Sequence, residues 1–206
     1  MPSNATAVWL PRVLFESALI VVSILVALGL DEWRESREDE QLVRHALTSF
    51  LSEMHKNKLL VEDDAPFNRG LRNVLNTHYQ KDDISSVDEF IVMVESYSPI
   101  DLHSTAWETA LATGSLAKMD YTLVSALSLT YSQQSRYDAI TQSGLDEVLS
   151  PQNLTDETLK LAIYNSIRYL DSVATAETEL AIIYDQAIAV VDMALSQDAP
   201  IIQTGL

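Results

Sequence analysis

The sequence predicts an all-α protein: one N-terminal transmembrane helix that continues into a helical stalk and an extramembrane helical bundle. Three observations carry this. Gly numbers 5 and Pro 6 in 206 residues, too few for the tight turns of a many-stranded fold. Apolar residues recur at spacings of three and four along most of the chain, the period of a helix face. One long apolar run stands near the front. The expected organisation is a short leader over 1–12, a transmembrane helix over 13–30 and an acidic helical domain over 31–206.

The span reads Val13-Leu14-Phe15-Glu16-Ser17-Ala18-Leu19-Ile20-Val21-Val22-Ser23-Ile24-Leu25-Val26-Ala27-Leu28-Gly29-Leu30, with one charge. Its charge-free part, from Ser17, is short for a crossing, and the flanks decide the reading. Trp9 and Trp33 bracket the run. At about 1.5 Å per residue they stand roughly 36 Å apart, which sets one ring near each headgroup boundary. Pro11 suits a first helical turn. Ala27-Leu28-Gly29 also offers a tolerable signal-peptide cleavage pattern, but an uncleaved anchor is the expectation.

Glu16 is the unusual residue, because an ionisable group inside a span is costly. Arg12 lies one turn earlier and can pair with it, and a carboxylate in the first turn complements the helix dipole. The functional alternative is contact with a partner. Glu16, Ile20, Ser23 and Ala27 share one face, and Ser23-x-x-x-Ala27 is a small-x-x-x-small spacing that permits close helix approach. These four are the candidate partner-binding residues. Arg12 precedes the span, whereas Arg34, Arg37 and Arg44 follow it. A raw count of positive charge therefore puts the bulk of the chain inside, although long domains translocate largely regardless of charge.

Beyond the span, Asp31 to Val61 contains no Gly or Pro. Val43, Leu47, Phe50 and Met54 recur on one face, while Asp39, Glu40, Glu53 and Lys56 read as the solvated side. A straight helix from Arg12 to Val61 would run ~75 Å. Ala65-Pro66 is expected to restart the chain. A second helix follows with Phe67, Leu71, Val74 or Leu75, and His78 or Tyr79 on its apolar face, ended by Lys81-Asp82-Asp83. Ser86-Val87-Asp88-Glu89 is a capping-box pattern that opens a short third helix, stopped by Ser98-Pro99. His103 to Thr113 forms a fourth, closed by Gly114, and Trp107 is its expected core residue. Met119 to about Thr141 forms a fifth, with Leu123, Leu127 and Tyr131 inward. Gly144 and Pro151 mark a loop.

Thr155 is the expected cap of the last helix, which runs from about Asp156 to Ser196 with acidic residues in its first turn. Its seam is Ile163, Ile167, Leu170, Ala174, Glu177, Ala181, Tyr184, Ile188, Val191 and Leu195, alternating spacings of 4 and 3 as a heptad does. Glu177 interrupts it. A buried acid that binds something or fixes register is one reading. The expected one is a wider apolar face with Glu177 at its margin.

Lys and Arg total 13 against 30 Asp and Glu, for a net charge of −17. Arg12 and Glu16 cancel, so the whole excess belongs to residues 31–206. Such a chain repels phosphate backbones, and no basic cluster offsets this, so no nucleic-acid partner is expected. Cys is absent, which excludes disulfides, thiolate metal sites and Cys nucleophiles. The four histidines, His45, His55, His78 and His103, make neither H-E-x-x-H nor the Glu-x-x-His pair of di-iron bundles. No Gly-rich phosphate loop and no G-x-S-x-G is present. No catalytic residue, metal or cofactor is assigned. Asn4-Ala5-Thr6 and Asn153-Leu154-Thr155 match a glycosylation pattern, but turn and cap chemistry accounts for both better.

Glu16, the run Leu19-Ile20-Val21-Val22-Ser23-Ile24-Leu25-Val26-Ala27-Leu28, and Asp31-Glu32-Trp33-Arg34-Glu35 together resemble the start of a large group of bacterial single-span proteins classed as a domain of unknown function. Ser104-Thr105-Ala106-Trp107-Glu108-Thr109-Ala110 to Thr113-Gly114, then Leu116 and Met119 to Tyr131, resemble their middle region. The resemblance covers about the first 60 residues and 103–135. This chain departs from the pattern in lacking a basic leader before Arg12. The resemblance implies an inner-membrane anchor with the amino terminus in the cytoplasm and the helical domain in the periplasm; it implies no activity. Three roles follow as expectations: a non-catalytic accessory or assembly subunit of a larger membrane complex, a membrane-anchored ligand-sensing bundle, or an enzyme with an unrecognised site. The first is preferred, with integral membrane protein subunits and the lipid bilayer as partners.

Overall fold

The computed structural model describes residues 9–148, 150 and 154–196, with the side chains of 9–12, 143 and 145–149 left aside. Pro11 lies in the first turn of a helix that starts at Trp9, as expected, whereas Glu16 lies beyond that turn; the expectations for the ring of Trp9, the side chain of Arg12, Pro151, Asn4 and Asn153 lie outside the described residues.

The described chain is all-α. Its elements are α1 (Trp9–Lys81), α2 (Val87–Val94), α3 (Thr105–Thr113), a 3-10 turn (Ser115–Lys118), α4 (Tyr121–Val148) and α5 (Leu159–Ser196). The first helix has 73 residues, or about 110 Å. Its residues from Val13 to Glu38 are exposed on every side. Here lies the apolar window, with a mean hydropathy of 2.5, long and apolar enough to cross a membrane. Packing begins at Asp39, which pairs with Lys118 at 2.8 Å. The bare stalk is therefore short, 31–38, and the rest of α1 is bundle. Within the stalk the Arg37 guanidinium lies 5.5 Å from the centre of the Trp33 ring.

The restart expected at Pro66 does not occur: α1 runs straight through it. An internal proline removes one backbone donor and crowds the carbonyl four residues back, at a cost of about 3 kcal/mol. Val61, Ala65, Asn68 and Leu75 remain on one buried stripe across it, and packing on α5 outweighs the lost bond. This continuity also changes the apolar face. Asn68 is buried and Phe67 exposed; Leu75 is buried and Val74 exposed. α1 ends where expected. Asp82 takes a left-handed φ of 55°, and the Asp83 amide reaches back to the His78 carbonyl, closing the C-terminus.

The Ser86 hydroxyl accepts from the Glu89 amide at 3.3 Å. The carboxylate of Glu89 accepts from the Ser85 amide, at 3.0 Å, so the capping box closes one residue early. Gly114 ends α3 with a φ of 72°. α4 continues past Thr141 and through Gly144, the residue expected in a loop. α5 starts at Leu159 rather than Asp156, because Thr155 and Thr158 bond each other in a preceding turn.

α1, α4 and α5 form a three-helix bundle. Pairings at Arg44–Leu195, Lys58–Asp185 and Arg72–Asp171 run α5 antiparallel to α1. Pairings at Glu53–Tyr131 and Asn57–Gln134 run α4 parallel to α1. The connection between α1 and α4 carries α2, α3 and the 3-10 turn. The apolar core has two parts. The larger joins Val43, Leu47, Phe50 and Met54 of α1 to Leu127 and Tyr131 of α4 and to Leu180 and Tyr184 of α5. The smaller joins Leu75, Phe90 and Val94 to Ile163, Ile167 and Leu170. Tyr169 packs against both. The expected seam of α5 is right at Ile163, Ile167, Leu170, Tyr184, Ile188 and Val191, but Val173 and Leu180 are buried where Ala174 and Ala181 were expected. The buried face is broader than a heptad stripe.

Candidate functional site

Two features stand apart from ordinary packing: a set of buried polar side chains and the uncovered span. The polar set begins with Glu53, expected on the solvated face but buried. Its carboxylate accepts from the Tyr131 hydroxyl at 2.7 Å and from the Ala106 amide at 3.0 Å. It thus caps the start of α3, where unpaired backbone donors favour an anion. One turn on, Asn57 donates to the His103 carbonyl at 2.7 Å and to Gln134 at 3.1 Å, and accepts from the His103 amide at 3.0 Å. Gln134 also donates to the His103 carbonyl and accepts from Tyr184. Every member is partnered, and the network fixes the residues before α3 onto all three long helices. Its role is structural.

The second part lies between the two apolar cores and forms a polar waist. The Asn68 amide donates to Asp64 at 2.7 Å and to Glu177 at 2.6 Å. Glu177 is 2% exposed, so it is central to the helix contact and not at its margin. The reason is the breadth of the buried face and the amide that α1 supplies opposite it. Tyr137 is buried beside them. Tyr97 donates to Tyr169 at 2.7 Å, and Tyr169 donates to the Thr141 carbonyl at 2.8 Å. Among the described residues, three buried side-chain atoms have no hydrogen-bond partner: Asn68 Oδ1, Tyr137 Oη and Glu177 Oε2. Orphaned buried polar atoms of this kind are uncommon and costly.

Charge in the waist is correspondingly disfavoured. Burial holds Glu177 above the usual carboxylate range; the Asn68 amide opposes this, and the charge of Asp64 adds to it. Burial likewise raises Asp64 against the same amide. Tyr137 is pushed up by burial and then by the charge of Glu177. On the outer side a cleft of ≈ 280 Å³ between α1 and α5 is lined by Glu62, Arg69, Glu177 and Asp185. A larger groove of ≈ 790 Å³ between α4 and α5 carries Arg136, Arg168, Tyr169 and Glu179. Among the described residues no group of three or more His, Asp or Glu is placed to hold a metal ion.

The predicted partner-binding residues Glu16, Ile20, Ser23 and Ala27 are all exposed, at helical positions that bring them onto one face of α1. Nothing else in the described chain covers them. The Ser23 hydroxyl donates to the Leu19 carbonyl at 2.8 Å, so what Ser23 offers a neighbour is small size and not a free donor. A Cβ at Gly29 would meet nothing within 4 Å beyond its own stretch of helix among the described residues. Sequence reasoning missed Glu53, Asn57, Asn68 and Tyr137. The one signal was Glu177 interrupting an apolar seam.

No family model, no curated protein and no solved structure matches the chain.

Proposed function

We propose that the chain is a non-catalytic accessory or assembly subunit of a larger bacterial membrane complex. It is anchored in the inner membrane by the span and carries its acidic bundle on the periplasmic side. One observation carries the reading. Among the described residues nothing packs on the span, and one of its faces carries the small side chains of Ser23 and Ala27 with Glu16 and Ile20. Lipid covers the apolar sides of such a helix well, but a small-x-x-x-small face gains more from a helix that can approach it closely. An integral membrane subunit that packs over Ser23 and Ala27 supplies that helix. The short stalk supports the reading, because it holds the bundle close to the bilayer, where it can rest on a neighbour's extramembrane surface. The test is affinity purification of the full chain in mild detergent, followed by mass spectrometry. A stoichiometric integral membrane partner is expected. Recovery of the chain alone, from detergents that preserve other complexes, overturns the proposal.

A second reading, a membrane-anchored sensing bundle, is favoured by the cleft of ≈ 280 Å³ between α1 and α5 that Arg69 and Glu177 line. It expects a small molecule retained by the full chain in native mass spectrometry.

A further inference from the structure

The orphaned atoms of the waist fall in a meaningful place. Asn68 and Glu177 share one hydrogen bond, from the amide nitrogen to Oε1. The other oxygen of each side chain, Asn68 Oδ1 and Glu177 Oε2, is buried without a partner. A carboxylate only accepts, so while Glu177 is ionised neither of these oxygens can serve the other. A neutral carboxylic acid does both: its carbonyl accepts from the amide N–H, and its O–H donates to the amide carbonyl. The observed bond from the amide to Oε1 supplies one half of such a pair, and the two orphaned oxygens are the atoms that its second half would join.

We propose that the folded bundle holds Glu177 as the neutral acid in a two-bond ring with Asn68, and that losing this proton opens the waist between the two apolar cores.

The surroundings agree. From α1, Asp64 occupies the second hydrogen of the same amide, so an ionised Glu177 would place two carboxylates on one nitrogen. Arg69, also on α1, is the one nearby cation that favours the ionised form, and no ion pair joins it to Glu177 among the described residues. Glu62 and Asp185 stand at the cleft mouth and are bridged by Lys58, at 3.4 and 2.6 Å. From α4, among the described residues, the unpartnered Tyr137 hydroxyl is the donor left to serve an ionised Oε2. Burial disfavours the anion more than any other influence. The waist lies beside Pro66, where α1 already lacks a backbone donor. Ionisation there acts on the helix that carries the span.

The test uses the full chain in detergent with carboxyl-labelled glutamate. Infrared spectra of wild type and Glu177→Gln are compared across pH. The expected result is one protonated-acid carbonyl band in wild type that persists above the pH at which the exposed glutamates ionise. That band is absent in Glu177→Gln. The glutamine amide supplies the donor that the acid O–H supplied, so Glu177→Gln should keep the wild-type melting temperature and flatten its fall with pH. Glu177→Ala should melt lower. In Tyr137→Phe the band should remain as in wild type. A band that vanishes together with those of the exposed carboxylates overturns the proposal. So does a Glu177→Gln protein that melts as low as Glu177→Ala. A band that emerges only in Tyr137→Phe also overturns it, since the phenol then serves an ionised Glu177.

Discussion

Gly144 of α4 lies directly against the ring of Tyr169 of α5, so that a Cβ at position 144 would overlap ring atoms Cδ2 and Cε2. The contact lets Tyr169 reach both the Thr141 carbonyl and the Tyr97 hydroxyl, which ties α4, α5 and the loop after α2 together at the waist. Glycine is therefore required here by close approach and not by backbone conformation. Gly144→Ala should raise intrinsic helix propensity yet destabilise the bundle by about 1–3 kcal/mol, the usual cost of overpacking. Thermal melting of the full chain in detergent, followed by circular dichroism, checks this. A variant that melts at or above wild type would place Tyr169 elsewhere.

Trp107 is partly buried against the larger apolar core. Its ring stacks on Tyr131 with centroids 5.3 Å apart and tilts against Phe50 at 6.4 Å. Phe50, by contrast, is 0% exposed. Trp107→Ala should cost roughly 2–3 kcal/mol from lost area and stacking, and Phe50→Ala about 3–5 kcal/mol. Chemical denaturation midpoints of the two variants give the order. If Trp107→Ala is the more damaging, α3 contributes more to the core than its exposure indicates.

The bundle should be more stable in mild acid than its net charge alone suggests. Asp138 is pushed up to about 6 from the ordinary 3.8, first by burial and then by the charge of Asp101. Its folded value lies above its unfolded one, so its contribution is fully present below the unfolded value and is lost as pH rises through about 6. Asp64 and Glu177 are raised too and act in the same sense. Asp120 acts oppositely. Backbone donors such as the Thr122 amide, at 2.8 Å, hold it low, so its contribution is lost as pH falls. Asp138→Asn should flatten the decline of melting temperature between about pH 4 and 6. An unchanged slope would mean that Asp138 titrates as an exposed carboxylate.

Much of the fold is legible because it depends on local pattern. Val43, Leu47, Phe50 and Met54 announce their face by spacing, Ser86 announces a helix start, and Gly114 a helix end. What stays hidden depends on partners far away in sequence. Pro66 reads as a break until α5 is known to hold both sides of it. Glu53 reads as solvated until Tyr131 and the α3 amides are brought to it. Phe67 looks more like core than Asn68, and only Glu177, 109 residues on, reverses that order. Hydrophobic periodicity ranks residues by transfer free energy and carries no information on polar groups that satisfy one another across helices. The span face is the reverse case. Its pattern is open to direct reading, because among the described residues this stretch of α1 is exposed on every side and no tertiary contact reorders it.

Topology is open to a direct check. A phosphatase joined after Leu206 should be active if the bundle is periplasmic. An inactive phosphatase, with an active cytoplasmic reporter at the same site, would reverse the orientation and leave the positive charge of Arg34, Arg37 and Arg44 as its cause.

The span offers the most selective test of the proposed role. Glu16, Ile20, Ser23 and Ala27 lie on one face, whereas Leu14, Val21, Leu25 and Leu28 lie away from it and suit lipid. Without a hydrophobic difference between lipid and helix, association rests on close approach and polar contacts. Ser23 already donates its hydroxyl to Leu19, so its value to a neighbour is the small side chain, shared with Ala27. Ser23→Leu and Ala27→Leu should therefore loosen the complex by blocking that approach, while insertion is preserved because both changes make the span more apolar. Glu16→Gln should weaken it less, since glutamine keeps the length of the side chain and an oxygen that accepts. Val21→Leu, on the lipid side, should leave partner recovery unchanged. The measurement is the yield of co-purified partner for each variant at equal membrane level of the chain. If both leucine variants on the small-residue face hold the partner as well as wild type, that face is not the interface, and association must run through the extramembrane helices.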